Sequence, residues 1–270
     1  YGDHRDLHLS LRRQRQMCIR DSAGTGLGRE MALALSNAGA NLVIAARREK
    51  LINEVIEIIK GRGNRAIAIS TDLTDSKQVG LLVQTALDQF KSIDVLINNA
   101  GIVRGHGSTP IWEISDDDWR LGIDTNLSTA FFCSRAVASH MVDNGRGKII
   151  NLASGFGLRG GRDNYMYACG KGGVVQLTRT LATSLGRYGI TSNCIVPGYF
   201  PTEGTNASRE TLPKSDFIPV GRVGSPSELG PIAVFLASDS SNYMNGEMFV
   251  VDGGGIAGGI TPTRYIPKYN

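Results

Sequence analysis

The sequence alternates short apolar runs with amphipathic stretches of helical length, and this alternation limits the fold more than any other feature. Six runs rich in Val, Ile, Leu and Ala occupy residues 42–45, 66–69, 93–97, 148–152, 191–196 and 248–251. Runs that are apolar throughout indicate strands buried on both faces, and the intervening helices can cover both faces of a parallel sheet. The 270 residues are enough for one such core. We therefore predict a single α/β domain with a doubly wound parallel sheet.

The N-terminal segment departs from this pattern. A fold of this kind begins with an apolar strand that leads into a glycine-rich turn, but residues 15–21 contain only three apolar residues, Met17, Cys18 and Ile19. We expect the first strand to be atypical or missing, and residues 1–21 to be foreign to the fold. Residues 22–255 would then form the domain. Within it, residues 199–224 hold three prolines and would be a mobile lid, and residues 256–270 would be a C-terminal tail.

Composition and spacing exclude several classes of function. The net charge is only +4 and no long basic run is present, which argues against a nucleic-acid partner. The four cysteines show no Cys-x-x-Cys or Cys/His spacing, so we expect no metal site, no disulfide framework and a cytoplasmic location. No apolar stretch has the length of a membrane span or the character of a secretory signal, so no membrane partner is expected.

A glycine-rich turn lies between the position of the first strand and the first helix. It contains Ser22, Gly24, Thr25, Gly26, Leu27 and Gly28. Glycines let the backbone approach a pyrophosphate, whose charge is stabilised by unpaired amides and by the dipole of the following helix. The turn is a candidate dinucleotide site; the alternative is an ordinary glycine-rich turn.

Two arginines, Arg47 and Arg48, follow the second strand. An acidic residue there would bind the ribose hydroxyls of NAD, whereas arginine accommodates the 2′-phosphate of NADP. Ala46 occupies the acidic position, which leaves no carboxylate to repel that phosphate. NADP(H) is therefore favoured over NAD(H); the alternative is that both arginines are solvated residues that begin a helix.

A second small-residue turn follows the run 93–97 and contains Asn99, Ala100 and Gly101. Such residues would let the chain pass close to a bound cofactor. The alternative is an ordinary Asn/Gly turn.

A group of polar residues falls later in the chain. Tyr167 and Lys171 lie four residues apart, on one face of a helix. Alone, this pair is more often a surface coincidence than a catalytic pair. However, Ser154 lies thirteen residues before Tyr167 and follows the run 148–152, at the edge where open α/β sheets bind ligands. Asn126, on an earlier helical segment, could complete the group.

Taken in order, these motifs resemble the short-chain dehydrogenase/reductase family. The resemblance extends from about residue 22 to residue 254 and includes Pro197, Gly198 and the Val-Asp-Gly-Gly segment at 251–254. It implies a Rossmann fold, an NAD(P)-dependent oxidoreductase acting on a small carbonyl or alcohol substrate, and a homodimer or homotetramer. It implies a catalytic tetrad of Asn126, Ser154, Tyr167 and Lys171. The implied cofactor contacts also include Asp72, Leu73, Tyr167, Lys171, Pro197, Gly198 and Thr202.

Several alternatives stay open within this resemblance. The chain is similar both to 3-oxoacyl-acyl-carrier-protein reductases, which would have an acyl-carrier protein as partner, and to gluconate or other sugar-acid dehydrogenases. It departs from the family where Asp21 and Ser22 replace Thr-Gly, and a carboxylate next to a pyrophosphate is unfavourable. The fold could therefore serve a non-catalytic NADP-binding sensor, or the chain could be inactive because of its N-terminus.

The resemblance also implies a mechanism. Tyr167 would protonate the carbonyl oxygen, Ser154 would hydrogen-bond the same oxygen, and Asn126 would position a water. An ammonium about 4 Å from the phenol, at an effective dielectric of about 20, favours the phenolate by roughly 4 kcal/mol. We therefore expect Lys171 to lower the pKa of Tyr167 towards neutrality.

Overall fold

Seven parallel strands form one sheet in the computed structural model, which describes residues 17–21 (as backbone), 26–101, 109–202 and 217–258. The strands are β1 (Met17–Asp21), β2 (Asn41–Ala46), β3 (Ala66–Ser70), β4 (Val95–Asn98), β5 (Gly147–Leu152), β6 (Ile190–Pro197) and β7 (Met248–Val251). Their order across the sheet is β3-β2-β1-β4-β5-β6-β7. The order reverses between β1 and β4, where open sheets of this kind form a ligand crevice at the carboxyl edge.

Helices cover both faces of the sheet, which confirms the predicted doubly wound fold. They are α1 (Gly26–Asn37), α2 (Glu49–Gly61), α3 (Ser76–Phe90), α4 (Asp116–Ile123), α5 (Thr129–Asp143), α6 (Tyr165–Leu185) and α7 (Gly230–Ala237). Leu42 and Ile44 of β2 pack on one face with α1, α2 and α7. Val43 and Ala45 pack on the other face with α3, α5 and α6. This alternation follows from the two-residue period of a strand.

The first strand is present and atypical, so of the two predicted alternatives, an atypical or a missing strand, the structure has the first. β1 pairs with β2 from Met17 to Asp21 and with β4 from Cys18 to Arg20. These two ladders satisfy backbone groups whatever the side chains are, which explains how a strand of unusual composition occupies this place. The strand remains atypical, since Arg20 and Asp21 belong to it. The foreign origin of residues 1–21 stays a prediction, and residues 1–16 lie outside the described residues.

The two ends of the predicted lid are joined by backbone hydrogen bonds. The amide of Gly224 donates to the carbonyl of Tyr199 over 3.0 Å, and the amide of Val220 donates to Gly253 over 3.2 Å. Residues 203–216 between these ends lie outside the described residues, so the lid stays a prediction. Of the predicted tail, residues 256–258 are described, and Ile256 packs on the cluster that contains Ala153; residues 259–270 lie outside the described residues.

None of the helices in the described part of the chain is long and apolar enough to cross a membrane. Among the described residues, no group of His, Cys, Asp or Glu is placed to hold a metal ion.

Candidate active site

Ser154 and Tyr167 meet at the carboxyl edge of β5. Ser154 has an extended backbone and begins a short 3₁₀ turn, Gly155–Gly157, in which the amide of Phe156 donates to Ser154 Oγ over 3.3 Å. The Ser154 side chain also faces the Tyr167 phenol closely enough to favour its ionised form and so to act against the effect of burial on the Tyr167 pKa. The Phe156 amide fixes the orientation of the serine, so that its hydroxyl and the phenol face the same space.

Lys171 lies one turn after Tyr167 on α6 and is 3% exposed. Its ammonium donates to the carbonyl of Leu152 over 2.9 Å and to that of Ala100 over 3.3 Å. It lies 5.9 Å from the centre of the Tyr167 ring. Lys171 therefore ties the catalytic helix to the ends of β4 and β5, with its charge beside the phenol.

Asn126 joins this group through a π-helical segment, Asp124–Ser128, between α4 and α5. Its side-chain amide donates to the carbonyl of Gly122 over 2.9 Å. A Cβ placed on Gly101 would lie 2.9 Å from both Asn126 Oδ1 and Lys171 Nζ, so these two polar atoms face the same point of the backbone. Single π turns are frequent at functional sites, and here one brings Asn126 to the point of the backbone that Lys171 also faces.

Two glycines of α6 make this arrangement sterically possible, and sequence reasoning missed them. A Cβ on Gly170 would lie 2.7 Å from Asn126 Cβ, and one on Gly173 would lie 2.6 Å from Leu127 Cδ2. α6 therefore touches the π segment almost backbone to backbone. Each glycine costs a helix about 1 kcal/mol relative to alanine. Glycines within a predicted helix were therefore the feature of the sequence that could have indicated close packing at these positions.

The pKa of Tyr167 is raised from its ordinary value, because burial penalises the phenolate more than the Ser154 side chain favours it. The expectation that Lys171 moves this pKa towards neutrality is therefore wrong in this structure. The physical reason is that burial of the phenol outweighs the effects that favour its ionised form, while the Lys171 ammonium donates to two backbone carbonyls.

The described members of the predicted cofactor set lie at the start of α1 or after strand ends. Gly26 begins α1 with a φ of +57°, and a Cβ there would lie 3.1 Å from the Thr202 side chain. Thr202 is thereby placed at the N-terminal end of α1, where an anion is favoured. The space beside Gly26, which a side chain would fill, fits a dinucleotide. Leu27 and Gly28 continue α1, whereas Ser22, Gly24 and Thr25 lie outside the described residues.

Other predicted contacts lie at neighbouring strand ends. Arg47 and Arg48 are exposed after β2, and Arg48 precedes α2. Asp72 forms a turn by accepting from the Thr74 amide over 3.0 Å. Leu73 is 6% exposed and packs in the core, so its backbone is the part that remains to contact a ligand. The remaining positions are Asn99, Ala100 and Gly101 after β4, and Pro197 and Gly198 at the end of β6.

The chain is similar to known proteins over most of its length. A family model described as Enoyl-(Acyl carrier protein) reductase matches residues 22–255. The chain is 36% identical over 242 residues to a 3-oxoacyl-[acyl-carrier-protein] reductase from Synechocystis, covering 88% of this chain and 96% of the relative. It is 39% identical over 239 residues to the 2-dehydro-3-deoxy-D-gluconate 5-dehydrogenase of Escherichia coli, covering 86% and 92%.

A solved structure is similar as well. The gluconate 5-dehydrogenase of Burkholderia cenocepacia, in complex with NADP and tartrate, superposes with a TM-score of 0.84 at 34% identity. The similarity covers 90% of this chain and 95% of that one.

Proposed function

The chain belongs to the short-chain dehydrogenase/reductase family, and from this premise we propose that it transfers a hydride between NADP(H) and a ketone or secondary alcohol through Asn126, Ser154, Tyr167 and Lys171. The observation that carries the proposal is that Ser154 and Lys171 both lie beside Tyr167, the serine facing its phenol and the ammonium 5.9 Å from its ring centre. The cofactor supplies the hydride.

The residues of the chain manage the proton and the charge on oxygen. Because burial raises the pKa of Tyr167, the phenol is protonated at neutral pH and serves as the proton donor when a carbonyl is reduced. Ser154 donates a hydrogen bond to the same oxygen and stabilises its developing charge. Lys171 holds α6 to the ends of β4 and β5 and so positions the phenol, and Asn126 positions a water for proton return.

Replacing one hydroxyl tests this assignment. We expect Tyr167→Phe to remove turnover while leaving NADPH affinity within about threefold, because the lost group acts on the substrate rather than the cofactor. Tyr165→Phe, in the first turn of the same helix, is the matched control and should keep wild-type turnover. Equal turnover of wild type and Tyr167→Phe would refute the proposal.

We propose NADPH rather than NADH as the cofactor, on the support of Arg47 and Arg48. Titration of the chain with each cofactor should give tighter binding of NADPH, and the double change Arg47→Gln/Arg48→Gln should weaken NADPH binding by roughly tenfold or more while sparing NADH. Arg120→Gln, on α4, is the control. Equal affinities in the wild type would refute the preference. Absence of binding to either cofactor would favour the alternative of an inactive chain, and binding without turnover of any ketone would favour a sensor.

The proposed substrate is a carbonyl of the 3-oxoacyl or sugar-acid type, because relatives at similar identity are named for each. The proposed setting is a cytoplasmic homodimer or homotetramer. The entrance to the site would bind an acyl-carrier protein in the first case and a small carboxylate in the second. The loop after Ser154 therefore bears on the choice between these substrates.

A further inference from the structure

An aromatic ring stands directly beside the catalytic phenol. The ring of Phe156 lies 6.4 Å from that of Tyr167, centre to centre, with the planes at 78°. The turn that carries Phe156 rests on the catalytic helix, since a Cβ on Gly157 would lie 2.7 Å from the Lys171 carbonyl oxygen. A Cβ on Gly161 would lie 2.7 Å from the Phe156 ring, so the ring is held between the loop and the site.

The guanidinium of Arg159 lies over this ring. Its Cζ is 5.9 Å from the centre of the Phe156 ring, a cation–π arrangement. The Arg159 amide donates to the Gly155 carbonyl over 3.1 Å, which fixes the backbone that carries the side chain. Together the two ring distances keep the guanidinium within about 12 Å of the Tyr167 ring centre.

The charge of Arg159 is not neutralised by the described part of the chain. Arg159 is exposed, and the ion pairs among the described residues do not include it. A guanidinium is always charged and presents a fork that matches a carboxylate. Arg159 therefore places a positive charge over an aromatic ring near the reacting position, and no carboxylate of the described chain pairs with it. Such a group is suited to binding an anionic part of the substrate.

Carboxylates near the site argue against a large acidic partner. α4 packs on the catalytic helix, where a Cβ on Gly122 would lie 2.4 Å from Met166 Cβ. The first turn of α4, about 9 Å away along the helix axis, contains three aspartates, Asp116–Asp118, and Arg120 of the last turn pairs with two of them, which leaves the helix with a net negative charge. An acidic carrier protein docked over α4 would meet like charge, whereas a small anion at the loop after Ser154 would meet the guanidinium of Arg159.

We propose that Arg159 determines specificity by binding the carboxylate of a small oxo-acid substrate, with Phe156 holding the guanidinium beside the site. The inference rests on the proposed function and selects the sugar-acid type of substrate over the acyl-carrier type. Arg159 acts on substrate binding, and proton donation is left to Tyr167.

The test compares charged and uncharged ketones. The probes are oxo-carboxylates of increasing chain length, each beside its methyl ester, and a 3-oxoacyl thioester of N-acetylcysteamine. The wild type should prefer an acid over its ester and over the thioester. Arg159→Gln should raise KM for the acid by about 10- to 100-fold, the effect of losing one charge-assisted hydrogen-bonded pair, with kcat within about twofold and the ester unchanged.

Two further variants distinguish direct contact between Arg159 and the substrate carboxylate from a general effect of positive charge in the loop. Arg162→Gln removes the same charge from the same loop and should change KM for the acid by less than about threefold, while Arg159→Lys should restore part of the affinity. Equal use of acid and ester by the wild type, equal effects of Arg159→Gln on both, or an Arg162→Gln effect as large, would each overturn the inference. Failure to oxidise NADPH with any probe would instead overturn the proposed function.

Discussion

A single methyl group on the catalytic helix tests how the site is assembled. Alanine at Gly170 would place its Cβ 2.7 Å from Asn126 Cβ, whereas ordinary contacts lie at 3.4–4 Å. The helix and the π segment must therefore separate by roughly 1 Å, and overpacking of this kind costs about 1–3 kcal/mol. Alanine at Gly172 is the matched control, because its nearest neighbour would be the Gly157 oxygen at 3.7 Å.

The gain in helix propensity, up to about 1 kcal/mol, is common to both variants, so their difference isolates the steric term. We expect Gly170→Ala to unfold at a temperature about 2–12 °C below that of Gly172→Ala, at about 2–4 °C per kcal/mol for a domain of this size. Turnover should fall in Gly170→Ala alone, because Asn126 is displaced. If the two variants melt together and turn over equally, close contact at Gly170 does not set the position of Asn126.

Three further changes have outcomes fixed by the described contacts. Burial lowers the pKa of Lys148 to about 8, so its charged form costs roughly 3 kcal/mol of stability below that pH. Lys148→Met should therefore be more stable than wild type at pH 7 in urea unfolding, and this advantage should shrink as pH rises from 8 to 10.5; an advantage independent of pH would contradict this. Hydrogen bonds from Arg222 lower the pKa of Glu228 to about 2, so its stabilisation is complete above pH 4.5 and is lost towards pH 2. Thermal unfolding of Glu228→Gln and wild type should converge over that range, and a constant gap would refute the pairing. Gly101→Ala should lose most turnover in a steady-state assay while keeping its fold by circular dichroism, because its Cβ would lie 2.9 Å from Asn126 Oδ1. Unchanged turnover would show that the close contact between residue 101 and Asn126 does not matter for catalysis.

Much of the fold follows from local sequence pattern. The six apolar runs correspond to β2–β7 because strands buried on both faces must be apolar along their length. Strand ends and one helix turn bring Ser154, Tyr167 and Lys171 to the same edge of the sheet, but their assignment to a tetrad comes from the family resemblance and not from spacing alone.

Other features depend on tertiary surroundings that pattern does not reveal. β1 forms because two neighbouring strands pair with it, a gain that its own composition does not show. The direction of the Tyr167 pKa shift depends on burial of the phenol, which exceeds the opposing effect of Ser154. The importance of Gly170 depends on which helix packs against it.

The most direct test of the central claim is the transfer of deuterium from the C4 position of labelled NADPH to an oxo-carboxylate, followed by mass spectrometry of the product. The wild type should place one deuterium on the new carbinol carbon, and Tyr167→Phe should form no labelled product while still binding NADPH. Unlabelled product, or labelled product at equal rates from both proteins, would contradict the account.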